Sequence, residues 1–109
     1  MLKISTRTFG DITILDAEGR VTASDGSSTQ LRSAFRDASD WSPKILVNLR
    51  GVTYMDSSGV GEIVRATAHG RQVKILHPSV HLEKLLKVIK LDRYLEIHFD
   101  ERAALNSFQ

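Results

Sequence analysis

Apolar residues return along this chain in two rhythms, every second position and every third or fourth. "LKISTRTF" (residues 2–9) sets Leu2, Ile4, Thr6 and Thr8 against polar neighbours, the period of two that predicts a strand. Gly10-Asp11 is a turn signal, and "ITILDAEG" reads as the second arm of a hairpin ending at Gly19. "TASDGSS" consists of turn and capping residues, so a loop is expected over Thr22–Ser27. Leu31, Ala34, Phe35 and Ala38 then recur at helical spacing, and the helix they predict stops before Pro43.

"KILVNL" (44–49) is a short continuous apolar run, expected as a buried interior strand. After Ser57, the residues Val60, Ile63, Val64 and Thr67 fall on one helical face, with Gly70 as the C-cap. "QVKIL" is a further buried strand. "HPSVHLEKLLKVIKL" carries Val80, Leu82, Leu85, Leu86 and Ile89 as an amphipathic stripe whose first turn accommodates Pro78. "YLEIHF" alternates again, and "DERAALNSF" reads as a short closing helix capped by Asp100. The order is β-β-α-β-α-β-α-β-α. It predicts an α/β fold: one mixed sheet of about five strands, an N-terminal hairpin, parallel central strands joined by right-handed crossovers, and about four helices. Nothing marks a linker or repeat, so residues 1–109 are expected to form a single domain.

Composition narrows the function classes. Hydrophobic content of 41% and charged content of 26% belong to a soluble globular chain. The net charge of +2 is spread evenly along the sequence, with seven Lys/Arg against six Asp/Glu in residues 1–50 and eight against seven in the rest. No basic run or aromatic-basic face appears, so no nucleic-acid partner is expected. The absence of cysteine excludes disulfides, thiol nucleophiles and cysteine zinc sites. The N-terminus, "MLKISTRTFGD", lacks an apolar signal region, and no stretch approaches the roughly 18 apolar residues of a membrane span. A cytoplasmic protein without membrane insertion is expected.

Candidate chemistry concentrates in "YMDSSGVGEIV" (54–64). Asp56-Ser57-Ser58 lies between a predicted parallel strand and the helix after it, where sites form in open α/β sheets. That point is also a helix N-terminus, whose unpaired N–H groups and positive dipole end favour a phosphate. Gly59 and Gly61 keep the first turn free of bulk, so that another protein's active site can approach the hydroxyl. Plain N-capping by Ser57 or Ser58 competes with this reading. Glu62, four residues after Ser58 and five after Ser57, misses the spacing of a capping box and reads as a first-turn acid. Capping leaves the two glycines unexplained, since each costs about 1 kcal/mol relative to alanine in a helix interior. Both readings of the serines stay open on the residues alone.

Other chemistries lack their signatures. "GVG" has no third glycine of a dinucleotide fingerprint, and no Gly-Lys-Ser/Thr marks a P-loop. Neither serine is flanked as G-x-S-x-G, and His69, His77, His81 and His98 are scattered, so no base is set beside a nucleophile. An enzyme is not expected. His77 and His81 are four apart, yet Pro78 puts His77 at or before the helix start and no third ligand is near, so neither metal nor cofactor is expected. Lys84, Lys87 and Lys90 fall on the solvent side of their stripe.

"VTYMDSSGVGEIV" closely resembles the signature of STAS domains, in particular single-domain bacterial anti-sigma factor antagonists. The resemblance extends over nearly the whole chain, through "LRSAF", "KILVNLRGV", "VKIL", "VHLEKLLKVIKL" and "DERAAL". It implies a phospho-switch. Ser57 matches the position phosphorylated by a partner that is at once serine kinase and anti-sigma factor, and Ser58 the adjacent hydroxyl. Unphosphorylated antagonist binds that partner and frees the sigma factor; phosphorylated antagonist does not; a metal-dependent serine phosphatase resets the switch. Asp56, Ser57, Ser58, Gly59, Val60, Gly61, Thr22 and Asp25 are the expected phosphosite and docking residues. The resemblance also admits an alternative, a STAS subunit of a larger assembly such as a stress-signalling complex or a lipid-transport ATPase. Two departures stand out. The family's Gly-Glu-hydrophobic-Asp turn is here Gly19-Arg20-Val21-Thr22, leaving Asp25 to substitute for the missing acid, and the stretch between Val64 and Val73 is about one helical turn short. The edge strand 2–8 is free to pair with a second copy, so a homodimer is open.

Overall fold

The alternating side chains of the strand Ile12–Val21 (β2) go to two different layers. In the computed structural model, which describes residues 1–108, Leu15 and Ala17 enter one core while Ile12 and Ile14 enter another on the opposite face. Around β2 the chain runs β1 (Leu2–Phe9), β2, α1 (Ser27–Ser39), β3 (Lys44–Met55), α2 (Ser57–Ala68), β4 (Gln72–Leu76), α3 (Val80–Val88), a 3-10 turn (Leu91–Arg93), β5 (Glu96–His98) and α4 (Glu101–Asn106). The strands lie in the order β1-β2-β3-β4-β5, with β1–β2 antiparallel and the other pairs parallel. This is the expected mixed sheet, hairpin first, with β1 on one edge.

The larger core lies under α1, α2 and α3. Ile45, Val47 and Leu49 of β3 and Val73 and Ile75 of β4 meet Leu31 and Phe35 of α1, Val60, Ile63 and Ala66 of α2, and Leu82 and Leu86 of α3. On the other face the short α4 covers Ile12, Ile14, Leu46 and Leu76 with Ala104, and Phe108 joins them. Each such Val, Leu, Ile or Phe side chain, taken fully out of water, contributes about 1.5–3 kcal/mol before entropy is counted. No helix among the described residues is long and apolar enough to cross a membrane.

Four expectations are corrected. β3 continues through "RGVTYM" to Met55, and β2 continues past Gly19 to Val21. The polar-looking Arg50-Gly51 does not end the strand because the β2–β3 register shifts between Asp16 and Glu18 and again between Gly19 and Arg20, bulges that absorb the extra residues. Gly19, at φ 113°, thus lies inside β2 opposite the second bulge and does not end the strand. A Cβ on Gly51 would stand 2.9 Å from Glu18 Cγ and 3.0 Å from the Ala17 carbonyl, so glycine is what lets the two strands approach. The last strand shrinks to Glu96–His98, since Leu91–Arg93 coils into a 3-10 turn ahead of it. Finally, Val64, Val80 and Ile89 are exposed although they sit on the predicted stripes.

The extension of β3 carries the chain beyond β4 and β5. β3 pairs with β4 only over Lys44–Asn48, so its second half rests on β2 alone within the sheet. The β2–β3 pair thus runs on past β4 as an arm, flanked by β1 as far as Gly19, and Asp56 is at its tip.

Candidate functional site

At the end of the arm the Asp56 backbone N–H donates to the Val21 carbonyl at 3.0 Å, which ties the tip of β3 to that of β2. Asp56 then leaves the strand in extended geometry and caps α2. Its Oδ1 accepts from the backbone N–H of Ser58 at 2.9 Å, and from that of Gly59 at a longer 3.4 Å. Its Oδ2 accepts from the Ala23 N–H at 3.1 Å. One carboxylate therefore holds the helix start and the Thr22–Ser27 loop together. The cap is Asp56, and neither serine fills that role.

The two adjacent hydroxyls have different environments. Ser58 is half-buried, and its Oγ donates to Asp56 Oδ1. Ser57 is exposed as the first residue of α2, and among the described residues its hydroxyl has no partner. The donor hydroxyl of Ser58, followed by the Ala23 N–H, holds the Asp56 carboxyl below the usual aspartate range. Ser57 accordingly stands beside a carboxylate that stays ionised at neutral pH, at the positive end of a helix of 12 residues.

Thr22 is buried, and its backbone N–H donates to Ser27 Oγ at 2.7 Å. Asp25 is exposed but turned back on its own loop. It accepts from the Ser27 N–H at 2.9 Å and from the Ser27 hydroxyl, and these two bonds, the hydroxyl first, hold its carboxyl at about 2. The acid expected to stand in for Thr22 thus closes the loop ahead of α1.

The glycines of the motif divide. Gly59 is buried, and a Cβ there would lie 2.6 Å from Met55 Cγ and 2.8 Å from Val21 Cγ1. Gly61 is exposed, with nothing within 4 Å of where its Cβ would be. Val60 is only 6% exposed and belongs to the core. Gly59 and Val60 therefore seat the helix from beneath, and of the motif's small residues it is Ser57 and Gly61 that face outward.

Glu62 has a role that its place in the sequence did not suggest. It lies beyond the first turn, is only 6% exposed, and accepts a two-pronged hydrogen bond from Arg32 of α1: Nε to Oε1 at 3.0 Å and Nη2 to Oε2 at 2.7 Å. Arg65 adds a longer contact at 3.7 Å. Arg32 is the main cause that holds the Glu62 carboxyl below its ordinary value of 4.5. A signal does exist in the spacing: Glu62 falls three after Gly59 and four before Ala66, on the buried register of α2. Beside the arm, Tyr54 is exposed with the Arg20 guanidinium 4.9 Å over its ring.

The structure thus brings Thr22, Asp25, Asp56, Ser57 and Ser58 to one tip and leaves the histidines elsewhere. His77 precedes the α3 cap Ser79 and packs edge-on against Phe99, so it shares no helical face with His81.

The family model described as "Mlab, STAS domain" matches residues 4–97. Among the solved structures that share the fold are three anti-sigma factor antagonists or related determinants. An anti-sigma factor antagonist from Mycobacterium paratuberculosis superposes with a TM-score of 0.86 at 12% identity, over 98% of this chain and 93% of that one. A putative anti-sigma factor antagonist from Thermotoga maritima gives 0.84 at 20% identity, over 94% and 92%. The Bacillus cell fate determinant SpoIIAA, in its phosphorylated form, gives 0.71 at 19% identity, over 95% and 98%. No curated protein matches the sequence.

Proposed function

We propose that this chain, which belongs to the STAS domain family, is an anti-sigma factor antagonist switched by phosphorylation of Ser57. The observation that carries the reading is the exposed, unpartnered Ser57 hydroxyl at the start of α2, next to a Ser58 hydroxyl already engaged by Asp56. A kinase reaching this tip meets one free hydroxyl and no bulk at Gly61. The partner is an anti-sigma factor with serine kinase activity, and a metal-dependent serine phosphatase restores the hydroxyl. The protein itself carries out no chemistry. Cytoplasmic placement follows from that pairing.

The switch needs no unfolding. A phosphoryl group adds about −1.5 to −2 charges beside the ionised Asp56. The α2 dipole favours that charge in the free protein, so the penalty falls on the complex, where phosphate and carboxylate must be desolvated together. A penalty of about 3–4 kcal/mol there weakens binding several hundred-fold.

The test is a binding titration of purified anti-sigma factors against wild type, Ser57→Ala and Ser57→Glu. The reading expects a one-to-one complex with wild type and Ser57→Ala, and binding at least about a hundredfold weaker with Ser57→Glu. Equal affinity of all three would overturn it. Recovery only in a large or membrane-associated complex would favour the alternative, a STAS subunit of a stress-signalling or lipid-transport assembly.

A further inference from the structure

Charge that is even along the sequence is uneven in space. Arg32 and Arg36 of α1, Arg65 of α2, and Arg71 just beyond α2 all line one shallow groove of about 160 Å³ between the two helices, with His69 at its end. Four guanidiniums face one carboxylate, Glu62, a local charge of +3 in a chain whose total is +2. Glu62 occupies Arg32 through its two-pronged bond and touches Arg65 only at 3.7 Å. Arg36 reaches no acid, making only a long 3.4 Å bond to Ser33, and Arg71 has no side-chain partner among the described residues.

We propose that this α1–α2 groove docks an acidic segment, rich in Glu or Asp, of a protein partner. The bond between Arg32 and Glu62 shows the chemistry in miniature, a planar guanidinium fork closing on a carboxylate. Nucleic acid fits less well. Phe35 is 2% exposed and offers no face for a base, which leaves His69 alone at the groove's end to stack one, and a chain of net +2 has little charge to follow a phosphate backbone. A lipid surface also fits less well, because exposed apolar anchors such as Val88, Ile89 and Tyr94 lie on other elements and none lines the groove. Arg65 is eight residues along α2 from Ser57, roughly 12 Å at helical rise. A protein seated over Ser57 and lying along α2 therefore reaches the groove. The inference rests on the phospho-switch only for the partner's identity; the groove stands without it.

The test uses a fluorescein-labelled oligoglutamate peptide and fluorescence anisotropy at low ionic strength. The variants are the double reversal Arg36→Glu with Arg71→Glu, and a charge-matched control, Lys84→Glu with Lys87→Glu, on α3. Wild type and the α3 control should bind within about twofold of each other, and the groove variant should lose about tenfold or more. Binding should also weaken as ionic strength rises from about 0.01 to 0.15 M, over which the screening length falls from about 30 to 8 Å. Equal loss in the α3 control would overturn the groove. Displacement of the peptide by a single-stranded oligonucleotide, phosphatidylglycerol vesicles or inorganic phosphate at matched negative charge would equally overturn an acidic protein segment as occupant. If the reversal pair does not fold, Arg36→Gln with Arg71→Gln should still lose several-fold, and no loss would refute the proposal. Ser57→Ala and Ser57→Glu should bind the peptide like wild type, so failure of the phospho-switch and failure of the groove give different results.

Discussion

Gly59 and Gly61 stand on opposite sides of α2, one against the core and one in open solvent. In sequence both read as clearance for a partner, because a one-dimensional motif does not say which way a residue points. Gly59 clears room inside, for Met55 and Val21, and Gly61 outside. Gly59→Ala should destabilise by about 1–3 kcal/mol through overpacking, whereas Gly61→Ala should stabilise by about 0.5–1 kcal/mol through helix propensity. Urea midpoints of the two variants check this, and equal effects would refute the division. The serines divide by a similar logic. Both were legible as candidates, but only the position of the Asp56 carboxylate, accepting from Ser58 and the Ala23 N–H, separates the engaged hydroxyl from the free one.

Elements are joined here by a few charged links that local patterns do not announce. The Arg32–Glu62 pair clasps α1 to α2 across 30 positions of sequence, and Glu96 of β5 is held by Lys74 of β4. Arg32 lowers the Glu62 carboxyl, and Lys74, followed by His98, holds that of Glu96 at about 2. A carboxyl depressed in the folded state binds its proton sooner in the unfolded chain. Its contribution to stability is therefore present above the ordinary glutamate value of 4.5 and is lost as pH falls through the folded value. Denaturation midpoints should stay level from about pH 7 to 5.5 and fall as pH drops from about 5 toward 2. In Glu62→Gln part of that slope should vanish, and an unchanged slope would show that the clasp contributes nothing. The ends of elements were the harder part to read. The Arg50-Gly51 step looked like the end of a strand because the two extra residues that β3 carries against β2 interrupt its apolar rhythm without ending its pairing.

At the scale of the molecule, periodicity carried most of the fold. The order of elements, the hairpin and the parallel centre follow from apolar rhythm and from right-handed crossovers, and the family model and superposed structures agree with that architecture. Charge did not read through in the same way, since equal balances in the two halves of the sequence concealed the basic groove between α1 and α2. The placement of the proposed phosphosite is a whole-molecule property as well. It depends on β2 and β3 outrunning β4, so that Asp56 and Ser57 sit at the tip of an arm and not within the sheet.

Whether Ser57 is the switch is decided by intact-mass spectrometry of the full chain after incubation with ATP and an anti-sigma factor kinase that binds it, with Ser57→Ala and Ser58→Ala in parallel. A single phosphoryl adduct is expected on wild type and on Ser58→Ala, and none on Ser57→Ala. An adduct that persists in Ser57→Ala, or no adduct from a kinase that binds the protein tightly, would refute the switch and leave Ser57 as an exposed residue beside an aspartate cap.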